Sequence, residues 1–173
     1  MGNTREERGD ERLAGELHDV VGMSSIKRIL VAVDFGEISD RALEWALDLA
    51  SALGAEVTVL HAYELPVYGF PEGALVVTAD VATRLASGAQ AALTALVQAR
   101  GRKGVALRGV LKQGIPWEEI NATAHEVEAD LVVVGTHGRK GLARVFLGSV
   151  AERVIRTSTR PVVVVHPLPA GKK

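Results

Sequence analysis

DLVVVGTHGRKGLARVFLGSV, residues 130–150, decides how this chain folds. Leu131, Val132, Val133 and Val134 form a short, continuous apolar run, which reads as a strand buried on both faces. Gly135, Gly138 and Gly148 punctuate the next fourteen residues, with Arg139, Lys140 and Arg144 between them. Ser149 then opens a helical pattern that runs to Thr157. A buried strand, a glycine-bearing loop and a helix, in that order, are the components of a parallel crossover.

The same alternation extends outward in both directions. Residues 26–33 (IKRILVAV) read as the first strand and 34–37 as a turn, with Ser39 as helix N-cap. Ile38 is expected to pack on Leu43 as a hydrophobic staple. Ala42, Leu43, Ala46, Leu49, Ala50 and Leu53 recur at helical spacing until Gly54 ends the helix. Residues 57–62 form the second strand. A long connection over 63–78 holds Pro66, Gly69, Pro71 and Gly73 and reads as a lid or binding segment. A helix over 80–102 follows, with Leu85, Ala89, Ala92, Leu93 and Leu96 on one face, and then a third strand over 105–111. Pro116 opens the next helix at its first position, where a missing N–H is harmless, and Trp117, Ile120, Ala124 and Val127 mark its inner side. Residues 162–166 make the last strand. The sum is an α/β fold of three layers, an open five-stranded parallel sheet with helices on both faces.

Composition sets the bounds. The 173 residues suffice for one domain. Hydrophobic residues make up 47% and charged residues 24%, as in ordinary globular chains. A net charge of −1 gives no general attraction to nucleic acid or anionic membranes, and 4% aromatic residues leave little for stacking on bases. The absence of cysteine excludes disulfides and thiolate chemistry. No apolar run reaches membrane-spanning length and the amino-terminal stretch lacks a signal-peptide core, so a cytoplasmic location is expected. Residues 1–24 are rich in Glu and Asp and read as a mobile extension, 25–168 as the folded domain and 169–173 as a tail.

In open parallel sheets ligands bind outside the carboxyl ends of the strands, where strand order reverses. If the first and fourth strands are central neighbours, the loops after Val33 and Val134 meet there. A helix amino terminus offers unpaired N–H groups and the positive end of a dipole, and glycine permits close approach. Ser149 adds a hydroxyl and Arg139 adds charge, so phosphate oxygens are suitable ligands. Asp34, ending the first strand, stands where a carboxylate reaches a magnesium ion or a ribose hydroxyl. The alternative is purely structural: Gly135 and Gly138 turn the chain while Ser149 caps the helix. Both readings stand on the residues alone. Other chemistry fails. There is no Walker A motif and no G-x-S-x-G elbow, and His137 lacks a visible orienting carboxylate. His61 and His166 end strands and are read as satisfied by backbone or solvent.

The spacing Gly135-x2-Gly138-x9-Gly148-Ser149 resembles the ATP-binding signature of the universal stress protein family, G-x2-G-x9-G-[S/T]. ILVAVDFGEIS, LHAYE, GIPWEEI and RPVVVVHP resemble other segments of that family, over roughly residues 25 to 167. The resemblance implies strand order 3-2-1-4-5 and an adenine nucleotide, ATP or else ADP or AMP, bound with magnesium. It places Gly138, Gly148 and Ser149 on the phosphates and Gly135 on ribose or phosphate. Val33 and Asp34 lie near adenine, ribose or metal, and the backbone of Ala62 at the adenine edge. Phe35-Gly36 stands where the family often has Gly-Ser. It also implies a homodimer through the Val162–Val165 edge strand and a nucleotide-dependent sensor or regulator of a protein partner in stress response. A slow ATPase or nucleotide-using transferase, and a nucleotide-free interaction domain, are the alternatives.

Overall fold

Arg28–Ala32 (β1) is the middle strand of the sheet, and its residues alternate between two cores. Ile29 and Val31 enter one apolar cluster with Val33, while Leu30 enters the other. The computed structural model describes residues 26–65, 68–70, 73–75, 78–136 and 147–167, the two short segments by backbone alone. After β1 come Glu37–Leu53 (α1), Glu56–Tyr63 (β2), Tyr68–Phe70 (β3), Gly73–Leu75 (β4) and Ala79–Ala99 (α2). Leu107–Gln113 (β5), Pro116–Glu126 (α3), Leu131–Gly135 (β6), Ser149–Thr157 (α4) and Val162–Val165 (β7) complete the order. The extension at 1–24 and the tail at 169–173 lie outside the described residues.

The sheet runs β5-β2-β1-β6-β7, every pair parallel. Numbering the sheet strands alone, this is 3-2-1-4-5, as the family resemblance implies. From β1 the chain steps one way through β2 to β5, then returns past β1 to β6 and β7. Right-handed crossovers therefore put α1 and α2 on one face and α3 and α4 on the other. The two cores agree. Leu43, Leu47 and Leu93 join the first cluster, while Ile120, Ala124, Ala151 and Val154 join the second. Each fully buried Leu contributes about 2 kcal/mol of transfer free energy.

Local chemistry explains most boundaries. Gly54 stops α1 at φ +62, a left-handed angle that a glycine adopts without strain. Pro116 begins α3 at its first turn. Three expectations change. The 63–78 connection carries a small antiparallel hairpin, in which Tyr68 pairs with Leu75 and Phe70 with Gly73. The third sheet strand is shifted to Leu107–Gln113, set by its register with Val57–Tyr63. Finally, the face expected on α2 is only half used. Leu93 is buried and Leu96 and Val97 pack beside it, yet Leu85 is 42% exposed and Ala92 is also exposed. A helix of 21 residues spans about 31 Å, longer than the strands beneath it, so its first half overhangs. No helix among the described residues is long and apolar enough to cross a membrane.

Candidate functional site

β1 and β6 lie side by side, with Leu30 opposite Val132 and Val31 opposite Val133. The turn after β1 and the loop after β6 therefore leave the sheet together, at the point where strand order reverses. Gly135 and Ile38 make this contact tight. A Cβ on Gly135 would sit 3.0 Å from Ile38 Cγ2 and 3.3 Å from its carbonyl carbon. A side chain there would force the start of α1 to give by a few tenths of an ångström, a packing reason for glycine that is independent of any ligand. Ile38 faces β6, and with Gly36 as the cap it is the second residue of α1, not the residue before the cap that a staple onto Leu43 requires.

Residues 33–39 form a closed hydrogen-bond circuit. The Val33 N–H donates to Leu60 O at 2.8 Å. The Asp34 N–H donates to Ser39 Oγ at 3.2 Å, and the Ser39 hydroxyl donates to Gly36 O at 3.0 Å. The Gly36 N–H donates to Asp34 Oδ1 at 3.0 Å, an Asx turn that fixes the carboxylate. Ser39 is not the N-cap that its residue type suggests: Gly36, three residues earlier, takes that role, and Ser39 lies in the first turn. Its hydroxyl is buried and reaches back to stitch the turn. Phe35 takes φ +61, a left-handed angle costing an L residue roughly 1–2 kcal/mol. Its ring lies 4.4 Å from that of His61, tilted by 43°. A cleft of about 220 Å³ on the α1/α2 side of this turn is lined by Val33, Phe35, Gly36, Glu37, Ser39, Asp40 and Leu96.

The second loop is pinned at both ends. The buried Thr136 donates its N–H to Val165 O at 3.0 Å, and its own carbonyl accepts the Gly148 N–H. The chain thus returns to the point it left. Gly148 is the N-cap of α4 and has no side chain to occupy the first-turn N–H groups. Its angles, φ −62 and ψ 148, suit any residue, so backbone conformation is not the reason for glycine. Ser149 is the first helical residue, not the cap.

Of the residues singled out in the sequence, Val33 and Asp34 follow β1, Gly135 ends β6 against Ile38, and Gly148 and Ser149 open α4 where Gly148 is held to Thr136; of these five, Val33 lines the cleft. Ala62 lies at the carboxyl end of β2, one residue beyond His61. Gly138 and Arg139, with His137, Lys140 and Arg144, lie outside the described residues. Among the described residues no cluster of His, Asp or Glu is built to hold a metal. Thr136 shapes the site without a signal of its own in the sequence, and Phe35 and Ile38 do so in ways the sequence did not indicate. Ser39 has one, as a helix-start serine, but it points to a different role.

Comparison with known proteins agrees with this architecture. The universal stress protein family model matches residues 25–166. A universal stress protein of Methanocaldococcus jannaschii is 34% identical over 146 residues, which cover 83% of this chain and 84% of that protein. A solved structure of another Methanocaldococcus jannaschii protein superposes with a TM-score of 0.70 at 25% identity, covering 84% of this chain and 99% of that one. The universal stress protein of Archaeoglobus fulgidus in complex with dAMP gives a TM-score of 0.58 at 25% identity, covering 82% and 98%. With the glycine spacing, the strand order and the sequence match in accord, the chain belongs to the universal stress protein family.

Proposed function

We propose that this chain binds an adenine nucleotide, ATP with magnesium, in the crevice between the β1–α1 turn and the β6–α4 loop, and that it acts as a nucleotide-dependent regulator in stress response. The observation that carries the reading is that β1 and β6 end side by side and that the cap of α4, a glycine its backbone angles do not demand, is held just beyond β6 by Thr136. Helix termini of this kind suit phosphate. The dAMP complex of the Archaeoglobus fulgidus relative supports an adenine nucleotide as the ligand class. In this reading Gly138, Gly148, Ser149 and Arg139 take the phosphates and Gly135 the ribose side. Val33, Asp34 and the backbone of Ala62 take the nucleoside. Asp34 is a single carboxylate with Oδ1 engaged by Gly36, so it suits a magnesium ion carried mainly by phosphate oxygens.

Denaturing freshly purified protein and identifying the released nucleotide by chromatography and mass spectrometry tests this. ATP is expected from the native sequence and not from folded Gly138→Val/Gly148→Val protein. Native protein that releases none, and binds none on titration with ATP and magnesium, overturns the reading. A homodimer through β7 belongs to the same proposal. β7 is an edge strand and its four valines are half-buried in the single chain, a surface that invites pairing. Val163→Lys is expected to yield monomers by light scattering, and an unchanged mass removes this interface.

A further inference from the structure

His61 belongs to the core side of β2, beneath α1 and α2, yet it acts on the crevice from behind. It is 8% exposed, and its Nδ1 lies 2.7 Å from the carbonyl oxygen of Val33. A carbonyl only accepts, so Nδ1 carries the proton and the ring is held in one tautomer. That hydrogen bond is not part of the sheet ladder. It seizes the last carbonyl of the segment running out of β1, immediately before Asp34, while the Val33 N–H is held by Leu60 O. The Val33–Asp34 peptide is thereby fixed by His61 at its oxygen and by Ser39 Oγ at its nitrogen. Phe35 closes the arrangement. Its left-handed backbone turns the aromatic ring inward onto the imidazole, at 4.4 Å between centroids.

We propose that His61 is a positioning residue for the nucleotide crevice. By donating from Nδ1 to the Val33 carbonyl, it orients the peptide that presents Asp34, without touching the ligand itself. The proposal rests on the nucleotide reading above for its functional consequence, but not for its structural one. The chemistry required is specific: a donor at the Nδ1 position, one bond from the ring carbon that joins Cβ. Asparagine places an amide nitrogen there, glutamine places it further out, and leucine fills the volume with no donor.

Three variants, His61→Asn, His61→Gln and His61→Leu, separate these requirements. Two readouts apply to each: amide resonances and hydrogen exchange at Asp34 and Gly36, and the affinity for ATP with magnesium by calorimetry. Nitrogen NMR of the native protein is expected to show the Nδ1–H tautomer. H61N is expected to keep the Asp34 and Gly36 amides near their native shifts and to bind nucleotide within about twofold of native. H61L and H61Q are expected to lose protection at both amides and to weaken nucleotide about tenfold, equivalent to about 1.4 kcal/mol. Amides of Val57 and Val59 in the same strand stay protected. If H61L fails to fold, the contrast between H61N and H61Q carries the test. An Nε2–H tautomer, native-like amides in H61L or H61Q, or an H61N as defective as either overturns the proposal. Native protein that binds no nucleotide removes the function proposed above, and the tautomer and amide readouts then decide the positioning role by themselves.

Discussion

α1 and α2 lie on the same face of the sheet, and both are rich in apolar residues, yet they are held in opposite ways. α1 buries Ala42, Leu43, Ala46, Leu47 and Ala50 in a continuous stripe over the sheet's centre. α2 is longer and buries only Leu93. The difference is position. α1 crosses β1 and β6, which have strands on both sides, whereas α2 lies over β5, an edge strand, and runs past it. What fastens α2 is therefore concentrated near its carboxyl end. Leu93 fits against Gly109, where a Cβ would come within 3.0 Å of Leu93 Cγ. Beyond the helix, Arg100 pairs with Asp40 and with Glu44, the latter at 2.6 Å, and Arg102 pairs with Glu44 at 3.0 Å and with Asp48. An apolar helix is thus not automatically a core helix; what lies beneath it decides.

The sharpest way to break this contrast is to remove core from α1. Leu47→Ala is expected to cost about 2–5 kcal/mol in urea denaturation, since Leu47 is fully buried at the sheet's centre. A loss under about 1 kcal/mol would mean that α1 is no better seated than α2. Next is Gly109→Ala, which pushes a methyl into Leu93 and should cost about 1–3 kcal/mol. Faster hydrogen exchange is expected in α2, with α1 unchanged. Arg100→Ala should cost about 1 kcal/mol or less, because the pair side chains are about a third exposed. The Glu44 hydrogen bond raises the Arg100 pKa above its ordinary value, with the Asp40 charge adding to it and burial opposing it. A raised pKa stabilises the fold below the unfolded value and loses that contribution only as pH rises through the folded one, in the strongly alkaline range. Salt is the practical lever: the Arg100→Ala loss should shrink as ionic strength rises. Smallest is Leu85→Gln on the overhanging half, expected within about 0.5 kcal/mol of native. A large loss there would show that the outer half of α2 is covered after all.

These same helices mark where the sequence is legible. Parallel strands buried on both faces are written as unbroken apolar runs, so ILVAV and LVVV read directly as β1 and β6. Gly54 and Pro116 announce helix boundaries because each has a backbone constraint that few residues share. α2 misleads because its alanines and leucines run round the helix, and periodicity cannot tell a face over the sheet from one beyond its edge. At the crevice, the glycine spacing and Asp34 are visible in the sequence. The circuit that holds Asp34 is not, since it depends on contacts from α1 and from β2. Ser39 resembles a cap because serine commonly caps. Its actual bonds, to the Asp34 N–H and Gly36 O, arise because the cap is Gly36, three residues earlier. His61 is satisfied by backbone, as expected of a strand-end histidine, but by a carbonyl 28 positions away.

The hydrogen bond between Thr136 O and Gly148 N has a consequence for how such a protein can diversify. It brings the two ends of the β6–α4 connection to one point, so the strand and the helix are anchored whatever chain runs between them. The entropy of closing a flexible loop rises slowly with length, by about 0.6 kcal/mol for each doubling. Changes in the length of the stretch 137–146 should therefore cost little in closure entropy, provided that Leu147, which packs against the core under α3 and α4, is kept.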